Sequence, residues 1–195
     1  MYMPSVKARS QFEVGVPQTV LWFALTVRPQ HEQAVAAQLQ AKALESYVPV
    51  YRERHRWSDR VQSVELPLFP RYVFARFRLP ERLSVLSIPS VKSIVSFGGK
   101  PCAVDPREIE AVQRMVASGM PVMPWPFLKI GQPVRLSGGA MDGLEGILIR
   151  EKTGYRVVVN ITILNRAVAV EIDRNHVKAV AGARNTPRCE LHVRS

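Results

Sequence analysis

The chain has 195 residues, 47% of them hydrophobic, which is room for one ordinary domain or two small ones with a core in each. Lys plus Arg number 27 against 16 Asp plus Glu, a formal net charge of +11, and 20 of the 27 cations are arginine. That balance fits bidentate engagement of a polyanion, or merely a well-solvated basic surface. Two cysteines, Cys102 and Cys189, without a Cys-x-x-Cys, exclude a disulfide framework and a cysteine-rich zinc module, and a reducing compartment is expected. The first twenty residues hold charges and prolines where a signal peptide has an apolar core, and the longest apolar stretch, Val20 to Val27, is too short to span a bilayer. A soluble, cytoplasmic protein is expected.

Residues 1–20, polar and broken by Pro and Gly, read as a mobile leader. Leu21 to Val27 is almost wholly apolar, the pattern of a central strand with both faces covered or with one face kept for a partner. Pro29 then opens a helix predicted over 30–44, with Val35, Leu39 and Ala43 recurring every four residues. Tyr47 to Arg56 and Val61 to Leu66 are β-prone, and Trp57-Ser58-Asp59-Arg60 joins them as the tip of an arginine-rich hairpin. Pro67 and Pro70 bracket Leu68-Phe69, and Tyr72 to Phe77 is a strand with aromatics on both faces. A short helix runs from Pro80 to Pro89, and Val91 to Phe97 is a strand closed by Gly98-Gly99. Asp105-Pro106-Arg107-Glu108 supplies an N-cap, a first-turn proline and a capping-box glutamate to a helix whose apolar face carries Ile109, Val112, Met115 and Val116.

Residues 118–127 hold three prolines and read as an extended spacer that joins neither neighbour's helix nor its sheet. That spacer divides a first domain, 21–117, from a second, 128–180. In the latter, short strands at 133–136, 145–149, 156–160 and 167–170, parted by Gly, Asn and Asp turns, describe a small β-barrel. Residues 181–195 read as a frayed basic tail.

Enzymatic constellations are missing from the sequence. His31, His55, His176 and His192 have neither HExxH spacing nor a nearby cysteine pair, so no metal site is expected. Gly99-Lys100 looks superficially like the end of a phosphate loop, but Ile94 stands where the first glycine is needed and Pro101 where a Ser or Thr would hold magnesium. There is no Gly-x-Ser-x-Gly elbow, and Glu108 with Glu110 reads as helix capping and a solvated face, not as a catalytic pair.

The glycines Gly131, Gly138, Gly139, Gly143 and Gly146 punctuate apolar residues in an order that resembles the KOW motif. Trp22-Phe23-Ala24-Leu25 and the helix after it, Tyr47-Val48-Pro49, Pro67 to Phe74, Ser90 to Gly98 and Lys100-Pro101 follow in the order of an NGN domain. From about Leu21 to Val180 the chain is similar to NusG-type transcription elongation factors. The resemblance implies an α+β protein: an NGN α/β sandwich around an antiparallel sheet, followed by a small SH3-like KOW barrel, acting as a monomer without catalytic activity, cofactor or membrane.

The resemblance also implies an apolar depression, lined by Trp22, Phe69 and Tyr72 and shaped by Pro70, that docks on the clamp helices of the largest RNA polymerase subunit. Three large aromatics left at a surface form a patch that wants a partner; the alternative is ordinary sheet core. Arg28, Lys42, Arg52, Arg54, Arg56, Arg60 and Arg71 would meet the non-template DNA strand near the bubble. A ribosomal small-subunit protein or Rho would bind the barrel. Arg71 stands where housekeeping members carry the glycine of Phe-Pro-Gly-Tyr, as in specialised paralogues similar to RfaH and to polysaccharide-operon antiterminators. Glu81-Arg82-Leu83-Ser84 lacks the His and Thr with which the RfaH-like paralogue touches a second polymerase element. The β-branched Ile147, Ile149, Val157 to Val159, Ile161 and Ile163 favour a barrel over a helical hairpin. Rival readings are a KOW-type RNA-binding ribosomal or assembly protein, and a nucleic-acid enzyme whose catalytic set is not visible.

Overall fold

A computed structural model describes residues 19–56, 61–126, 132–151, 154–173 and 177–179. The expected leader up to residue 18, the hairpin tip at 57–60 and the basic tail lie outside the described residues. The first half runs β1 (Val20–Val27), α1 (Glu32–Ala41), β2 (Glu45–Tyr47), β3 (Val50–Arg56), β4 (Val61–Pro67), β5 (Tyr72–Arg78), α2 (Arg82–Leu86), β6 (Val91–Ile94), β7 (Ser96–Phe97), β8 (Lys100–Pro101), β9 (Ala103–Val104) and α3 (Pro106–Ala117). The second half runs β10 (Val122–Pro126), β11 (Gln132–Leu136), β12 (Glu145–Glu151), β13 (Gly154–Ile161), β14 (Arg166–Ile172) and β15 (Val177–Ala179).

The apolar run becomes the centre of an antiparallel sheet ordered β2-β5-β1-β6, with β9 also pairing β1. Side chains alternate across the pleat, so β1 needs two covers. Phe23, Leu25 and Val27 join Val73, Ala75 and Phe77 beneath Val35 and Leu39 of α1 and Val85 of α2, with the Phe23 and Phe77 ring centroids 4.7 Å apart. Trp22, Ala24 and Phe74 face the other way, toward Ile109, Val112 and Met115 of α3 and toward the second sheet. The missing alternation in Leu21 to Val27 thus has its physical reason in two covered faces.

Both helices forecast at length exist with adjusted ends. The first is shorter than 30–44, because Gln30 and Ala43 adopt left-handed φ of 63° and 58°, and Leu44 N–H folds back on the Leu39 carbonyl at 3.0 Å. In α3, Asp105 caps by accepting the Arg107 N–H at 2.9 Å, with Pro106 in the first turn. The capping-box role expected of Glu108 is not what its carboxylate does; it reaches the turn between β13 and β14, described below. Strand β9 escaped the sequence reading, since two residues are too few to show a period.

The second sheet has the order β10-β14-β13-β12-β11-β15, antiparallel throughout. Ile147, Ile149, Val157 to Val159 and Ile161 are therefore in strands, as expected from their χ1 stiffness, whereas Ile163 falls in the 3-10 turn Thr162–Leu164. The spacer needs correcting. Residues 122–126 are extended, as three prolines require, but they do join a sheet, pairing Met123 with Ala169 and Trp125 with Ala167. Pro124 and Pro126 are tolerated because β10 is an edge strand, where an N–H on the outer side has no ladder partner to lose. Trp125 and Met123 pack on Val158, Ala167 and Ala169, and the Arg156 guanidinium lies 5.1 Å from the Trp125 ring centroid. Only residues 118–121 remain between α3 and β10.

Gly146 shows how closely β12 passes β13: a Cβ there would lie 2.5 Å from Val157 Cγ1 and 2.8 Å from the Val158 carbonyl oxygen. Gly146→Ala is expected to destabilise the fold by about 1–3 kcal/mol through overpacking, seen as a lower midpoint in chemical denaturation. Wild-type stability in that variant would show that the strands part without penalty. No described helix is long and apolar enough to cross a membrane.

Candidate functional site

The expected docking residues share one face of the first sheet, with Tyr72 four register positions along from Trp22. Leu68 N–H is pinned to the Pro49 carbonyl at 2.8 Å, and Tyr72 N–H returns to the Phe69 carbonyl at 3.1 Å. Phe69 is thereby turned inward, 1% exposed, edge-on to Phe74 with centroids 5.5 Å apart and planes at 88°. Pro70 and Arg71 form the exposed tip, and Tyr72 is half-buried. Trp22 lies on the same sheet face, paired in register with Val104 of β9, and is 6% exposed.

An open aromatic hollow is thus not what the structure presents. Trp22, Phe69 and Tyr72 belong to one apolar cluster, but the sheet face that carries them is covered. Their cluster is continuous through α3 with Val134, Leu136, Leu144, Ile161 and Leu164 of the C-terminal half. Exposure was expected because local sequence shows which side chains share a face, whereas the cover comes from residues about ninety positions downstream.

Three polar contacts edge this seam. The Glu108 carboxylate accepts the Thr162 N–H at 3.1 and 3.2 Å and the Thr162 hydroxyl at 2.6 Å. The Arg114 guanidinium donates to the Asp142 carbonyl. The Arg166 guanidinium stands 5.7 Å from the Tyr72 ring centroid, within cation–π range. Burial pushes the Glu108 carboxyl above its ordinary value, with Asp105 adding to the rise and the Thr162 donors opposing it. Burial also pushes the Tyr47 phenol, whose hydroxyl has no partner among the described residues, up to about 12. Neither Thr162 nor Arg166 was singled out from sequence. The available signal was an acidic residue at the rim of the apolar stripe Ile109, Val112, Met115, which fits a helix cap equally well.

The seven basic residues do not gather at one point. Arg28 and Arg71 are neighbours, since Val27 N–H donates to the Arg71 carbonyl at 2.9 Å. Lys42 caps the opposite end of α1 and its Nζ donates to Ser84 Oγ at 3.4 Å. Arg52 pairs across the hairpin with Glu65 at 3.1 Å, both ends exposed, so part of its charge is answered within the chain. Arg54 and Arg56 occupy β3 opposite Ser63 and Val61, and Arg60 lies outside the described residues. Among the described residues no group of three or more His, Cys, Asp or Glu is placed to hold a metal ion.

The arrangement is an apolar sheet face covered by the C-terminal half, with a scatter of cations around it. Comparison with known proteins shows what it is similar to. Residues 21–113 match the model of the family described as "Transcription termination factor nusG". A curated relative, the transcription termination/antitermination protein NusG of Lactococcus lactis subsp. lactis (strain IL1403), is 25% identical over 174 residues, 82% of this chain and 92% of the relative. Over residues 21–113 the chain is similar to NusG-type factors, and the relative that spans more of it is a transcription termination/antitermination protein. Among solved structures, "Domain interaction in Thermotoga maritima NusG" is 22% identical with a TM-score of 0.49, covering 83% of this chain and 98% of that one. The MjSpt4:Spt5 complex in conformation B is 15% identical with a TM-score of 0.28, covering 85% of this chain and 100% of that one. The matched span takes in β1 through most of α3, so the family model covers Trp22, Phe69, Tyr72 and Glu108 but stops short of the C-terminal half that packs on them.

Proposed function

We propose that this chain is a NusG-type factor that docks the sheet face bearing Trp22, Phe69 and Tyr72, with Pro70 shaping its rim, onto the clamp helices of the largest RNA polymerase subunit. Arg28, Arg71, Lys42 and the hairpin arginines Arg52, Arg54, Arg56 and Arg60 run along the non-template strand beside the bubble. The factor then suppresses pausing or termination as a specialised antiterminator, by binding alone. A preference of about 1.4 kcal/mol for the active elongation complex over the paused one shifts their ratio tenfold.

The observation that carries this reading is the continuous apolar face of the first sheet, covered by a second module across a seam that includes hydrogen bonds and a cation–π contact. A domain core would be sealed by apolar contact from its own elements alone; here α3 supplies part of the seal and the rest comes from residues joined to the first half through 118–121. Polymerase docking therefore requires the C-terminal module to move off, and a ribosomal small-subunit protein or Rho that grips this module would favour the open form. The test is binding of the full chain to polymerase assembled on a DNA fork, titrated with salt. If the arginines release counterions from phosphate, log affinity falls linearly and steeply with log salt; a flat response removes them from the DNA contact, and no binding at any salt removes the docking face as well.

A further inference from the structure

A β-turn with proline second and a positive φ third is of type II, and its third residue's N–H takes no part in the turn's own hydrogen bond. Phe69-Pro70-Arg71-Tyr72 has this form: Tyr72 N–H donates to the Phe69 carbonyl at 3.1 Å, and Arg71 stands third with φ of 72°. Glycine reaches that φ freely, whereas an L side chain resists it. Glu32 answers both difficulties. It opens α1, is the single buried charged residue among those described, and its Oε1 accepts the Arg71 N–H at 2.8 Å. The Arg71 carbonyl is held in turn by Val27 N–H at 2.9 Å, and the next residue, Arg28, is fixed by its own N–H on the Ser90 carbonyl at 2.9 Å. The Arg28 and Arg71 side chains are exposed, and among the described residues neither guanidinium has a partner.

We infer that Glu32 is a positioning residue, whose buried carboxylate locks this turn so that Arg71 stands beside Arg28 as a two-guanidinium clasp for a backbone phosphate of DNA. The inference rests on the DNA contact proposed above. Strain of this kind persists only where surrounding structure over-determines it, and here the over-determining groups are Glu32 Oε1 on one side of Arg71 and Val27 N–H on the other. Because the Glu32 carboxylate is buried and engaged with backbone, it leaves the guanidiniums to a ligand. Two planar forks side by side suit the paired oxygens of a phosphate.

The experiment measures fork-DNA affinity of the full chain against salt, with thermal melting in parallel, for wild type, Glu32→Ala, Glu32→Gln, Arg71→Gly and the double variant Glu32→Ala with Arg71→Gly. Glu32→Ala and Arg71→Gly are each expected to weaken the fork about tenfold and to lower the salt slope by about one contact. The double variant should lose no more than either alone, and Glu32→Gln, whose amide oxygen still accepts, should keep most of the affinity. Melting should fall in Glu32→Ala and recover when Arg71→Gly is added, since glycine needs no lock. Wild-type salt dependence with an unaffected Glu32→Ala, or losses that multiply in the double variant, overturns this inference alone. A flat salt response in the wild type overturns the DNA reading and the clasp with it.

Discussion

Phe69→Ala lowers folding stability by about 3–5 kcal/mol, the usual cost of emptying a buried phenylalanine site, and drops the melting temperature by about 10 °C in a chain of this size. The side chain is 1% exposed and edge-on to Phe74, so its loss opens a cavity against β5 whatever the protein binds. Tyr72→Ala behaves differently. Tyr72 is half-buried, and its described partner outside the sheet is the Arg166 guanidinium, a contact worth about 0.5–1 kcal/mol. Its melting temperature should shift by no more than a few degrees, while polymerase affinity falls at least tenfold if the phenol ring is part of the docking face. Because the same substitution loosens the cover, a rise in affinity is the informative contrary result: it would mean that Tyr72 only seals the closed form. Differential scanning calorimetry on both variants, beside a polymerase titration, separates the two residues' roles.

Much of this architecture is written in local pattern. Asp105-Pro106 announces α3, the β-branched residues Ile147, Ile149, Val157 to Val159 and Ile161 announce strands, and unbroken apolarity in Leu21 to Val27 announces a strand with two covers. That Trp22, Phe69 and Tyr72 belong to one apolar cluster on one sheet face is legible too. What local pattern cannot carry is which cover lies on which face. Glu108 and Thr162 are 54 positions apart, and an acid in a first helical turn has a sufficient local explanation, so nothing in the sequence asks for a distant partner. Proline at 121, 124 and 126 argues against a sheet because it removes donors; β10 forms anyway, as an edge strand asks for donors on one side only. Arg71 is legible as a departure from glycine, yet its left-handed φ and the carboxylate beneath its N–H depend on Glu32, 39 positions away in sequence.

Opening should respond to the Glu108–Thr162 contact more than to any other single pair on the seam. Glu108→Ala leaves the Thr162 N–H and hydroxyl without an acceptor in the closed form but hydrated in the open one, a differential of about 1–3 kcal/mol, or roughly five- to 150-fold in the closed-to-open ratio. Polymerase affinity rises by the same factor until the open form predominates, because a competent state that is rarely populated taxes the observed affinity by its own fraction. Rotational correlation times measured by NMR relaxation on the two halves should part company in the variant; identical tumbling and identical polymerase affinity would show that the seam does not gate docking. Acidity offers a second handle. Burial raises the Glu108 carboxyl in the closed form above its ordinary value of 4.5, so protons bind the closed form preferentially. Their stabilisation of closure is full below that ordinary value and is lost as pH climbs through the raised one. Polymerase affinity of the wild type should therefore increase with pH across that window and level off above it. Glu108→Gln, fixed in a neutral state with an amide oxygen still able to accept from Thr162, should abolish the dependence while keeping the halves together at low pH, and a pH response that survives in Glu108→Gln would assign the titration to another group.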